Sequence, residues 1–175
     1  MQLRFVQKPN KDGTPLRDGT VDLETGVVEA TTIPELRVQA LFRDRYIGVV
    51  RQGHPLSKGR MTPARYASGR HIGVSRDPTK DPIDAALAAH DLQRKIVVSL
   101  VAGFSTALAL ARASDLIASV PERHTGNLRA GMHSFILPVF PPEFTVSMLW
   151  HPRLDADPGH RWLRGCVKDV CTAIV

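Results

Sequence analysis

Apolar and polar residues change their spacing several times along this chain, and each change marks an element. Leu3 and Phe5 alternate with Arg4 and Val6, a period of two that predicts a strand reaching Gln7 with one wetter face. Thr14-Pro15-Leu16-Arg17-Asp18-Gly19 predicts a short helix, with Thr14 as N-cap, Pro15 as the first helical residue and Gly19 as the left-handed terminator. Val21-Asp22-Leu23-Glu24 alternates again and runs into Gly26-Val27-Val28, a second strand ending at a turn. Residues 36–42 and 46–50 are β-rich, Gly53-His54-Pro55-Leu56 closes them with a turn, and residues 70–75 predict another strand.

The second half changes period. Asp81-Pro82-Ile83-Asp84 is a helix start: Asp81 caps, Pro82 opens the first turn, and Asp84 suits the positive end of the helix dipole. Ile83, Ala86 and Leu87 give that helix a buried stripe. Ile96-Val97-Val98 is a short buried strand, residues 106–113 a helix opened by Ser105, and residues 116–120 a strand stopped by Pro121. Residues 144–150 form the last strand. In the closing helix Asp157 caps, Pro158 takes the first position, and Trp162, Cys166, Val170 and Ile174 recur every four residues beside Leu163, Val167 and Cys171, one wide apolar face. Strands alternating with helices predict an α/β fold with mainly parallel sheets.

Composition adds limits. With 175 residues there is room for one domain or two small lobes. No apolar run approaches the ~20 residues that span a bilayer, and no signal-peptide core opens the chain, so the expected compartment is the cytoplasm. The net charge of +6 invites a nucleic-acid reading, but basic residues are scattered from Arg4 to Lys168 among acidic ones, a mixed solvated surface. Cys166 and Cys171 lie roughly 140° apart around a helix, too far to bridge, and too few for a metal. No catalytic motif is found, and no metal or cofactor is expected. The Asp-Pro pairs at 77–78, 81–82 and 157–158 are turn and cap chemistry.

The candidate chemistry is binding. Ser105-Thr106 stand at a helix start, where hydroxyls and unused N–H groups suit an anion. Ser105 equally serves as a cap, and the two roles are compatible. Ser75-Arg76 follow a strand end, the usual ligand side of an open α/β sheet. Arg76 is a carboxylate partner or a solvated loop arginine. Gly26 and Val27 are similarly placed, with glycine permitting close ligand approach. Phe104 is a ring for stacking or a core residue.

The order of these segments resembles the effector domain of LysR-type transcriptional regulators. The resemblance is carried by the run from Leu16 to Gly26, by Val49-Val50-Arg51-Gln52-Gly53-His54-Pro55-Leu56, by Ser114-Asp115-Leu116-Ile117-Ala118-Ser119-Val120-Pro121-Glu122, by Leu149-Trp150-His151-Pro152-Arg153, and by Asp157-Pro158-Gly159-His160-Arg161-Trp162-Leu163-Arg164, which looks like the nodulation and aromatic-degradation branch. It implies a two-lobed fold like type 2 periplasmic binding proteins, with lobe one at residues 1–46 plus 148–175 and lobe two at 47–147. An effector, a small organic and in this branch often aromatic anion, would bind between the lobes at Gly26, Val27, Ser75, Arg76, Phe104, Ser105 and Thr106. It also implies a homo-oligomer that meets DNA through a helix-turn-helix absent from this chain. The family's first strand and helix of lobe one are absent too, so lobe one is expected to be incomplete, its gap filled by another chain or by rearrangement. Two alternatives are an oligomerisation module with a defective pocket and a solute-binding protein of the same fold. An enzyme on this fold is disfavoured by the missing acid/base constellation.

Overall fold

The computed structural model describes residues 2–6, 13–28, 34–75 and 77–173. In chain order the elements are α1 (Thr14–Asp18), β1 (Glu24–Val27), β2 (Arg37–Asp44), β3 (Tyr46–Arg51), α2 (Pro63–Ala67), β4 (Arg70–Val74), α3 (Pro82–Ala88), β5 (Lys95–Leu100), α4 (Phe104–Arg112), β6 (Ile117–Pro121), β7 (Met132–Ile136), β8 (Phe144–Trp150) and α5 (Pro158–Ala173). They divide into two compact units, residues 1–43 with 144–175, and residues 44–143.

The second unit holds a five-stranded sheet in the order β5-β4-β6-β3-β7. β4 pairs parallel with β5 and β6, whereas β3 pairs antiparallel with β6 and β7. The sheets are therefore mixed rather than mainly parallel, because β3 runs against the strands on both sides of it, β6 and β7. Ile47, Val49, Ala118 and Val120 pack on one face against Ala107, Leu108 and Ala111 of α4. Val50 and Ile117 pack on the other, with Tyr66 of α2 and Ile83 and Leu87 of α3. Burial on both faces explains why residues 47–50 and 117–120 read as unbroken apolar runs. Gly48 interrupts one of them because the Phe135 ring crosses that point, 2.2 Å from where a Cβ would stand.

Three polar groups are built into the second face. The buried Tyr66 hydroxyl lies 2.7 Å from Ser119 Oγ. His71 is fully buried, its ring edge-on to Tyr66 at 4.6 Å, and its Nε2 lies 2.8 Å from the Tyr66 carbonyl oxygen. A carbonyl only accepts, so Nε2 carries the proton, and Nδ1 has no hydrogen-bond partner among the described residues. The third is Arg94, described below.

The first unit is thinner. Its sheet runs β1-β8-β2, with β1 antiparallel to β8. Its buried cluster is Leu16, Leu36 and Leu149, with Val21 packed against it. Polar knots supplement it. Arg153 caps the end of α1, donating to the carbonyls of Leu16 (2.8 Å) and Arg17 (2.7 Å). The Trp150 indole N–H donates to Asp155 (2.6 Å), whose other oxygen takes Arg37 (3.0 Å). These two contacts, in that order, hold the Asp155 carboxyl below the usual carboxylate range. Arg164 stacks 4.5 Å from the Trp150 ring centre.

Several expectations stand and several are corrected. β8 spans residues 144–150 as predicted, Asp81 accepts the Ile83 N–H at 2.8 Å, and Asp157 accepts that of His160 at 2.7 Å. Residues 2–6 are not a strand. They form no helix or strand and are exposed, with Phe5 93% accessible, and Gln7 lies outside the described residues. α1 forms, but Gly13 in a left-handed conformation is its N-cap, not Thr14. α5 begins at Pro158, yet its apolar face is not covered. Trp162 and Val170 are each 60% exposed, Cys166 and Cys171 are half-buried and form no disulfide, and Ile174 lies outside the described residues. No helix among the described residues is long and apolar enough to cross a membrane.

Burial pulls the His71 pKa down from 6.5 to about 4. The folded state thus favours the neutral ring, and its contribution to stability is fully present above pH ~6.5 and is lost as pH falls toward 4. Unfolding free energies from denaturant melts between pH 7.5 and 4.5 are expected to fall through this window by up to roughly 3 kcal/mol, and His71→Gln is expected to flatten that slope.

Candidate functional site

β4 and β5 run parallel, so both end at the same edge of the sheet, and the chain leaves each of them there for a crossover helix. The Ser75 N–H donates to the Leu100 carbonyl at 3.0 Å, which ties the two strand ends together. Ser75 Oγ donates to the Asp77 carbonyl (2.8 Å) and accepts the Asp77 N–H (3.2 Å), a closed local turn. Asp77 then caps a short 3-10 turn over Pro78–Lys80, its carboxyl held low by the Thr79 hydroxyl and N–H.

Across from it, Gly103 adopts φ 101° and is the N-cap of α4, which starts at Phe104. The left-handed turn reverses the chain so that the Ala107 N–H reaches the Gly103 carbonyl at 3.2 Å, the first helical bond. This corrects the expectation that Ser105 opens the helix. Ser105 stands one residue inside it, exposed, and no side chain caps α4. Helix geometry leaves the N–H groups of Phe104, Ser105 and Thr106 without an intrahelical acceptor, at the positive end of the dipole. The exposed Ser105 and Thr106 hydroxyls stand among them.

Phe104 is half-buried. Part of it packs on the core beneath α4, and its ring meets His124 edge-on at 6.1 Å. His124 is placed by the buried Asp44, whose carboxylate accepts the backbone N–H groups of Arg45 (2.8 Å), Arg123 (2.9 Å) and His124 (3.0 Å).

Ser75, Phe104, Ser105 and Thr106 thus share one end of one sheet. Gly26 and Val27 belong to β1 in the first unit, where a Cβ on Gly26 would meet nothing within 4 Å. Arg76 lies outside the described residues. Two contributors escaped sequence reasoning. His124 follows the Pro121-Glu122 fragment and carries no local motif. Arg94 gives no local signal either, because its partners lie ten and thirteen residues upstream.

Arg94 ties the end of the Pro78–Lys80 turn to the start of α3. Its side chain is 1% exposed, with Nε 2.6 Å from Asp84 and Nη2 2.8 Å from Asp81. Burial opposes its charge, but the hydrogen bond to Asp84 and the electrostatic pull of Tyr66, Asp81 and Asp84 outweigh it, and the guanidinium stays protonated. Asp81 ends the turn opened by Asp77 and caps α3, so one buried cation fixes both. No group of histidine, cysteine and carboxylate among the described residues could hold a metal ion.

The LysR substrate binding domain family matches residues 2–172. The chain is 28% identical over 156 residues to the transcriptional activator NagR of Ralstonia sp, covering 85% of this chain and 50% of that protein. It is 32% identical over 158 residues to the transcriptional regulator SyrM of Rhizobium meliloti (strain 1021), covering 86% of this chain and 47% of that protein. The chain spans about half the length of the curated relatives it matches. Among solved structures, a putative transcriptional regulator from Vibrio parahaemolyticus matches with a TM-score of 0.76 and 28% identity, over 93% of this chain and 75% of that one. The effector binding domain of QuiR in complex with shikimate has the same fold, with a TM-score of 0.69 at 15% identity, over 91% of this chain and 76% of that one.

Two outcomes follow from this geometry. Gly103→Ala is expected to cost ~1–2 kcal/mol, the price of a Cβ in the left-handed region, while Ser105→Ala stays within ~0.5 kcal/mol because its hydroxyl caps nothing. Urea melts of both variants test the pair, and the reverse ranking would restore Ser105 as the cap. Arg94→Met is expected to lose ~3–5 kcal/mol, because it leaves Asp81 buried and both Asp81 and Asp84 without their cation.

Proposed function

The chain belongs to the LysR substrate binding domain family, and from that premise we propose that it is the effector-sensing part of a transcriptional regulator, taking a small organic anion at the start of α4. One observation carries the reading: three unused backbone N–H groups and two exposed hydroxyls converge where β4 and β5 end. A carboxylate accepts from such donors, and charge-assisted bonds of this kind are the stronger ones. Ser75 and Asp77 shape the neighbouring turn. Phe104 and His124 offer ring faces and edges beside it, which supports an aromatic body on the anion. The shikimate held by a protein of the same fold is likewise a carboxylate on a six-membered carbon ring.

In this reading the ligand regulates only by binding one conformation of the domain better than another, typically with ~1–3 kcal/mol of coupling. DNA contact belongs to a helix-turn-helix not contained in these residues, and the regulator works in the cytoplasm as a homo-oligomer. The relatives' names as transcriptional regulators support this role.

Titration calorimetry with benzoate, hydroxybenzoates and shikimate tests the proposal. At least one is expected to bind, and Thr106→Val to weaken it about tenfold or more, the value of one hydrogen bond to a charged group. Absence of heat from every acid, with the protein folded by circular dichroism, overturns the sensing role.

A further inference from the structure

The cations behind the net charge of +6 are scattered along the chain, but the fold gathers a set of them at one end of the second unit. β3 runs antiparallel to β6, and β4 runs parallel to both β5 and β6. The last residue of β3 and the first residues of β4, β5 and β6 therefore share one end of the sheet, opposite the anion site. Arg70 opens β4 and Lys95 opens β5, and the two are register partners, like charges side by side. Lys58 and Arg60 stand in the link from β3 to α2. Arg65 of α2 pins that link, donating to the carbonyls of Arg60 (3.1 Å) and Pro55 (2.8 Å). Arg112 ends α4 just ahead of β6 and donates to the carbonyls of Leu128 (2.9 Å) and Ala130 (3.0 Å). Lys58, Arg60, Arg70 and Lys95 are exposed, and none of the four has an ion pair among the described residues. Asp115, in the link before β6, is taken by Arg51 at 2.6 Å, which leaves Asp91 as the free carboxylate of the links at this end.

We propose that this basic end is a docking surface for the phosphate backbone of duplex DNA, a sequence-independent contact beside the sequence-reading one of the helix-turn-helix. Three observations favour that partner. First, Arg70 beside Lys95 is repulsive in the free protein, and a polyanion laid across the strand ends relieves the repulsion. Duplex DNA carries one charge per ~1.7 Å of its axis, dense enough to meet several of these side chains at once. Second, the exposed residues among the cations are Gln52, Ser68 and Gln93. Such polar groups suit phosphate and sugar, whereas the core of a protein interface is apolar and rich in aromatic residues. Third, the exposed aromatic residue of this unit, Phe140, follows β7, which finishes at the opposite end of the sheet. The basic end thus lacks the stacking platform that binds a single strand. Naming DNA as the polyanion rests on the transcriptional role proposed above; the clustering of charge does not.

Fluorescence anisotropy of a labelled duplex of about twenty base pairs and arbitrary sequence, titrated with the whole chain, tests the contact. A Kd of roughly 1–100 µM is expected near 50 mM salt, with affinity falling as about the third to fourth power of salt concentration, one power for each phosphate neutralised. Arg70→Glu with Lys95→Glu is expected to weaken binding at least tenfold and to lower that power by about two. Arg161→Glu with Lys168→Glu changes net charge equally on the exposed side of α5 and is expected to stay within about threefold. Both pairs are checked for fold by circular dichroism. The proposal is overturned if the folded chain does not bind the duplex, or if the α5 pair weakens it as much as the strand-end pair. Tighter binding of a single strand of the same length overturns it too, as does tighter binding of polyglutamate, which would assign the surface to an acidic polypeptide. Carboxylate binding is read separately by calorimetry, so failure of the sensing role and failure of this contact are told apart.

Discussion

The parallel pairing of β4 with β5 and β6 is the constraint from which the second unit follows. Parallel neighbours cannot be joined by a hairpin, so each connection must carry a crossover helix. α3 returns the chain from β4 to β5 across one face, and α4 returns it from β5 to β6 across the other. Both faces of the central strands are then covered, which is why β3 and β6 are apolar at consecutive positions. Both helices must also start where their strands end. The gathering of Ser75, Gly103 and the first turn of α4 at one edge is a consequence of topology before it is a feature of function.

That edge carries open donors because glycine, and not a side chain, turns the chain into α4. A serine or aspartate N-cap would accept one of the first N–H groups and reduce what a ligand could use. Gly103 makes the turn with φ alone and consumes none of them. The contrast within the same unit is α3, where the Asp81 carboxylate takes the Ile83 N–H and is itself engaged by Arg94. One helix start is closed and tied down, and the other is left open.

The legible parts of this sequence were those set by local chemistry. Strand β8, the start of α5 and the Asp81 and Asp77 caps rest on alternation, Asp-Pro pairs and dipole preference, all of which act within a few residues. The parts that were not legible depend on partners distant in sequence. Arg94 looks like any surface arginine until the fold buries it, and His124 comes beside Phe104 only through Asp44, about eighty positions upstream. The caps of α1 and α4 were misread for a related reason: Thr14 and Ser105 have the right side chains, but the preceding glycines supply backbone conformations that need no side chain. Residues 2–6 alternate like a strand, yet alternation states only a capacity, and a strand exists where another strand pairs with it.

The two units solve the same stability problem by different means. The second buries two clusters of nine residues each across a five-stranded sheet, enough to carry a buried His71 and a buried Arg94 without collapse of packing. The first has three buried leucines and a three-stranded sheet. Its polar links compensate: Arg153 on the α1 carbonyls, Asp155 between Trp150 and Arg37, and Arg164 over the indole. These links lie at the surface, where solvent screening keeps the contribution of each small. Apolar surface on α5 and residues 2–6 remains in water at a cost of about 25 cal/mol per Å2. The first unit thus leans on a small cluster and screened polar links where the second leans on packing across both faces of a sheet.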